Sequence, residues 1–202
     1  MIARRHIAAI ATGAAGLLGV WAAAAGGGRP PTESGQTVAD LLSGVEFVPS
    51  RVDLDSAMGD DANAELIAIA QGQDDDLDSP GQRIRAYRAL SLYPSTATET
   101  ALRAALATYG SDRGGVGTLY VRAAMDALAR CAGDAAVTPI APLLDHESLD
   151  VRADAAHALG LTGSELAIAP LSDRQPIELS EQVKLAITEA LRILGETTAG
   201  TN

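Results

Sequence analysis

One local pattern recurs four times along the chain and limits what it can fold into. The dipeptide Ala-Leu closes a helical stretch at Ala89-Leu90, Ala127-Leu128, Ala158-Leu159 and Ala190-Leu191, at spacings of 38, 31 and 32 residues. The stretch from Val151 to Gly160 is the clearest copy. Val151, Ala155, Ala158 and Leu159 fall at i, i+4, i+7 and i+8, which gives a helix one apolar stripe. Seven residues before each alanine stand Gln82, Tyr120, Val151 and Val183. Three before stand Ala86, Ala124, Ala155 and Ile187. A short helix with one such stripe cannot bury it alone, so the copies are expected to stack on one another.

Each copy is preceded by a second helical stretch. Asp61 or Asn63 can cap Ala64 to Gln71, and Thr96 to Glu99 reads as a capping box before Thr100 to Thr108. Asp134 can cap Ala135 to Leu144, and Ser164 can cap Glu165 to Leu171. Polar, turn-rich segments separate them at 74–81, 110–117, 145–150 and 173–180. Four helix–loop–helix units of about 30 to 40 residues predict an all-α fold, an α-solenoid. Composition agrees. Hydrophobic residues make up 47% but aromatics only 3%, so the core must be built from Ala, Leu, Ile and Val. A β-sandwich would need more aromatic and β-branched side chains.

The segment Val151 to Gly160, led by Leu143 to Asp150, resembles the HEAT-like repeat of phycobilisome-lyase-type HEAT proteins. The residues that match are Asp150, Val151, Arg152, Ala155, Ala156, Ala158, Leu159 and Gly160, and the likeness extends over roughly residues 60 to 196. It implies a right-handed α-solenoid of about four helical hairpins. It also implies a protein-binding scaffold, or alternatively an accessory subunit or lyase-like helper of an enzyme. The repeat itself brings no catalytic residues.

The remaining chain divides as follows. Residues 1–28 read as a signal peptide or an N-terminal anchor: Arg4 and Arg5 precede an uncharged apolar run from Ile7 to Ala25, followed by three glycines. Cleavage would place the protein in a periplasm or outside the cell, in a bacterium with a GC-rich genome by composition. An uncleaved anchor of nineteen residues could just cross a bilayer. Residues 29–60 form a Pro/Gly/Ser linker and an irregular N-terminal cap. That cap holds a short helix over Thr37 to Ser43, an extended piece over Val45 to Val48, and a turn over Arg51 to Met58 capped by Ser50. The repeat domain spans 61–196 and a flexible tail 197–202.

No cofactor, catalytic set or metal set is expected. The formal charge of −11 repels phosphate backbones and anionic lipid, which leaves another protein as the partner. Cys131 is the single cysteine and reads as a packing thiol. His146 and His157 have no second ligand at metal spacing. Asp74, Asp76 and Asp78 alternate as in a calcium loop, but Ser79 stands where the glycine should and Arg85 where the bidentate glutamate should. Arg152 beside Asp150 reads as a rung joining neighbouring units.

The candidate partner-binding face lies opposite the apolar stripe. Immediately before each Ala-Leu stand Arg88, Asp126, His157 and Glu189, polar in all four copies. Four residues before each alanine stand Arg85, Ala123, Asp154 and Ala186. Stacking would line up Arg85, Arg88, Asp126, Asp154, His157 and Glu189 as a ridge of mixed charge. For any one of them the alternative is an ordinary solvated helix face.

Overall fold

The structure is a computed structural model that describes residues 37–43 and 49–199, with side chains through 195. The leader, the linker, the extended piece at Val45 to Val48 and the last three residues lie outside the described residues. Those described are all-helical, with no strand among them. Ten α-helices follow in order: α1 Val38–Ser43, α2 Arg51–Met58, α3 Ala62–Ala70, α4 Pro80–Ala89, α5 Thr96–Tyr109, α6 Gly115–Ala132, α7 Asp134–Ile140, α8 Leu149–Leu161, α9 Ile168–Arg174 and α10 Glu181–Ala199.

They pack in two layers. Helices α4, α6, α8 and α10 lie side by side in that order, and each is backed by the helix before it in the chain. The recurring stripe forms the seam. Ala86, Ala124, Ala155 and Ile187 are fully buried, as are Leu90, Leu128 and Leu159. Alanine at these places lets neighbouring helices approach closely. Gly160 takes this furthest: a Cβ built on it would lie 3.0 Å from both Cα and Cβ of Ala190 in α10.

Helix starts follow capping chemistry, and several differ from the sequence expectation. Ser50 caps α2 in a full capping box with Asp53, as expected. Helix α4 begins at Pro80, inside the expected loop, because Ser79 and Gln82 form a second capping box around a proline at the first turn. Helix α5 begins at Thr96 rather than Thr100: the cap is Ser95, whose hydroxyl accepts from the Thr98 amide. Helix α6 likewise begins at Gly115, within the glycine-rich segment expected to be loop. Helix α10 runs to Ala199, past the expected boundary at 196. Gly133, at φ +49°, turns the chain from α6 directly into α7, and Asp134 makes no side-chain cap there.

Asn63 does not cap α3 either. Its amide donates to the Ser95 hydroxyl at 2.9 Å, and its Oδ1 lies 2.9 Å from the Thr98 hydroxyl. Thr98 is fully buried, and its hydroxyl also lies 2.6 Å from the Tyr93 carbonyl. This cluster joins α3, α5 and the turn after α4. Thr98→Val keeps the shape and removes the hydroxyl, so it should cost about 1–2 kcal/mol. Urea unfolding that leaves the midpoint unchanged would refute a structural role for the cluster.

The expected helix over Ala135 to Leu144 is broken. It is α-helical to Ile140 and then continues as a 3-10 turn over Ala141–Asp145, which contains Pro142. Pro139, inside α7, has no N–H to offer the Ala135 carbonyl four residues back. Arg103 of α5 supplies the missing donor, its Nη2 lying 2.6 Å from that oxygen. Ser164 caps a separate 3-10 turn over Glu165–Ala167 ahead of α9.

The N-terminal helices lie over one end of the array. Leu41, Leu42 and Leu54 are buried, and α1 packs on α4. No helix among the described residues is long and apolar enough to cross a membrane.

Candidate functional site

Arginines hold the loop edge of the array together, and one buried carboxylate is central to this. Arg152, near the start of α8, donates to both oxygens of Glu178, at 2.9 and 3.0 Å. Its Nη1 also donates to the His146 and Glu147 carbonyls, at 2.9 and 3.0 Å. Arg174 at the end of α9 donates to the same Glu178 and pairs with Asp145. The Leu179 and Ser180 amides add two more donors, at 3.0 and 2.9 Å. Glu178 is only 2% exposed, and its carboxyl is held down to about 2, chiefly by the hydrogen bonds from Arg152. Arg152 thus joins its own turn to the next, as the sequence suggested. The acid it uses is Glu178, and its own turn offers carbonyls in place of Asp150. No periodicity marked Glu178, which sits in an irregular loop; its four-residue spacing from Arg174 is the one local signal.

Arg83 occupies the same place on α4. It donates to the Ala70 carbonyl at 3.1 Å and the Tyr109 hydroxyl at 3.0 Å, and it stacks over the Tyr120 ring at 4.5 Å. Here two tyrosines from α5 and α6 take the place of a buried acid.

The predicted ridge divides into three parts. Arg88 on α4, Asp126 on α6, and Asp154 and His157 on α8 converge on one depression of about 230 Å³, completed by Arg122 of α6. Arg122 pairs with Asp154 across two helices, which keeps its guanidinium firmly protonated. Asp126 pairs with Arg130 on its own helix, at 3.0 and 3.2 Å. Arg88 and His157 are exposed. Glu189 on α10 does not line the depression. It pairs with Arg192 at 2.8 and 2.6 Å, which lowers its carboxyl below the ordinary range, with a smaller push from His157. Arg85 is engaged elsewhere: its Nη1 donates to the Leu42 carbonyl at 3.2 Å and holds α1 against α4.

Arg122 was legible only as an irregularity. Six residues before the alanine of each Ala-Leu stand Arg83, Val121, Arg152 and Lys184, so the basic residue of the second copy is displaced by one, to Arg122, and Val121 is buried in its place.

The other candidates are accounted for by local structure. Asp74 accepts from the Asp76 and Leu77 amides at 3.0 and 3.1 Å, and Asp78 faces Arg83 at 3.5 Å. His146 accepts the Ser148 amide at Nδ1. Cys131 is half-buried with its sulfur near the Leu90 and Ser91 carbonyls, and burial pushes its thiol up, away from a reactive thiolate. A second depression, of about 450 Å³, lies between α2 and the turn at Tyr93 to Ser95. There the Tyr93 hydroxyl donates to Asp55 at 2.7 Å beneath the stacked Arg51. Among the described residues no three His, Cys, Asp or Glu side chains converge at metal-ligand spacing.

These features define a class: an all-helical protein of paired helices with a charged depression lined by α4, α6 and α8. No protein-family model matches the chain, and comparison with curated proteins finds no significant match.

Proposed function

We propose that the paired helices form a HEAT-like, right-handed solenoid, and that the protein is a non-catalytic scaffold that binds another protein along the face of α4, α6 and α8. The convergence of Arg88, Asp126, Asp154 and His157 with Arg122 on one depression carries this reading. Polar side chains from three successive helices meet there, at places where the same helices bury alanine on the opposite side. Repeat arrays present binding surfaces in this way, with each unit contributing a few residues to a continuous face. At about 230 Å³ the depression is smaller than the roughly 300–1,000 Å³ typical of small-molecule and cofactor sites. The N-terminal sequence would place the partner in the cell envelope.

Site-specific photocrosslinking in the native cell tests this. A photoreactive residue at position 88 or 157 should give discrete adducts with another protein. The same residue at Thr100, exposed on α5 in the other layer, should give none. Adducts from Thr100 alone, or from neither face, would overturn the proposal.

A further inference from the structure

The charges around the depression are matched except for one. Every other described cation has a protein acceptor. Arg51 has Asp55, Arg113 has Glu147, Lys184 has Glu181, and Arg83, Arg85 and Arg103 have carbonyl oxygens. Arg122, Arg130, Arg152, Arg174 and Arg192 have carboxylates. Arg88 is the exception: among the described residues its side chain meets no acceptor, and it faces the depression. The two carboxylates beside it are occupied, Asp154 by Arg122 and Asp126 by Arg130.

We infer that Arg88 anchors a single carboxylate side chain of the protein partner, received in the depression between α4, α6 and α8. This rests on the binding role proposed for that face. A guanidinium offers five N–H donors in a planar fork that fits a carboxylate with two parallel bonds. The depression has room for one side chain and not for a helix, whose diameter is about 10 Å or more. The protein as a whole carries −11, so an acidic partner meets repulsion over most of its surface and attraction at this place. Screening confines both effects to about 8 Å at physiological salt. The contrast therefore selects where the acid lands, not merely whether it binds.

The test uses a defined probe, an acetylated and amidated tetraglutamate, titrated into the full chain and followed by NMR of arginine Nε–H groups. The Arg88 signal should move with half-saturation in the millimolar range, while tetraglutamine moves nothing. Arg88→Gln should raise the half-saturation concentration for the remaining ridge signals, such as Arg122, by about ten-fold, and Arg88→Lys by less. Arg88 is exposed, so neither variant should unfold the protein, and unchanged melting confirms this. An Arg88 signal that does not respond, or equal binding to Arg88→Gln, overturns the inference. Crosslinks from position 157 in a protein whose Arg88 ignores tetraglutamate would refute the carboxylate anchor and leave the binding face standing. Absence of those crosslinks would sink both.

Discussion

Replacing Glu178 with glutamine should destabilise the protein by about 3–5 kcal/mol, the cost of removing one partner from a buried ion pair. In thermal melts the midpoint should fall by roughly 10 °C or more. The reason is the number of donors aimed at one carboxylate. Arg152 and Arg174 surround it, and two loop amides complete the set. Glutamine keeps the size but supplies one acceptor oxygen instead of two, leaving Arg152 without a counter-charge and Arg174 with Asp145 alone. The same group gives the protein an acid-sensitive element. Its carboxyl lies near 2 in the fold against an ordinary 4.5, so the folded state holds its proton less tightly than the unfolded chain. The stabilisation is present above about pH 4.5 and is lost as pH falls towards 2. Integrated over that interval it amounts to roughly 3 kcal/mol. Melts of wild type and Glu178→Gln should therefore differ most near neutrality and converge towards pH 2. A constant gap across that range would show that the carboxylate's charge is not what stabilises the loop.

The second large effect is expected at Gly160. Leucine there should cost about 3 kcal/mol, because α8 and α10 meet backbone to side chain at this point and the new atoms have no space to enter. Alanine should cost less. Its Cβ still meets Ala190 at 3.0 Å, but it gains up to about 1 kcal/mol of helix propensity over glycine. Combining Gly160→Leu with Ala190→Gly removes one of the two contacts and should recover part of the loss, a coupling that a double-mutant cycle measures. If Gly160→Leu unfolds at the wild-type urea concentration, the close approach of α8 and α10 is wrong.

Much of the architecture was legible because alanine and leucine at a helical period leave few alternatives. Ala86, Ala124, Ala155 and Ile187 were picked out by spacing, and all four are buried. The broken helix around Pro139 and Pro142 was less legible. Its sequence has the hydrophobic pattern of a longer helix, and what permits the break is a donor from Arg103, more than thirty residues earlier. The ridge was partly legible for the same reason. Counting from the Ala-Leu places located Arg88, Asp126, Asp154 and His157, since register alone decides which face a helical residue occupies. Register does not say where a long side chain reaches. Arg85 shares the face with Arg88 but turns back to a carbonyl of α1. Glu189 reaches only along its own helix to Arg192. Glu178 was invisible, because its role depends on loop geometry that leaves no periodic trace.

The tyrosines have a consequence of a different kind. All four of the chain's tyrosines, Tyr87, Tyr93, Tyr109 and Tyr120, fall between α4 and the first turns of α6, and the single tryptophan precedes the described residues. The Tyr120 ring meets Tyr87 in a tilted contact and Tyr109 edge-on, with centroids 5.9 and 5.2 Å apart. The phenol signals of the folded protein therefore come from one part of the molecule. They follow the join between the first two helical pairs and do not sense α8 to α10, whereas the far-ultraviolet signal sums every turn. If the rings and the far-ultraviolet signal melt at different temperatures, the helical pairs do not unfold as one cooperative unit.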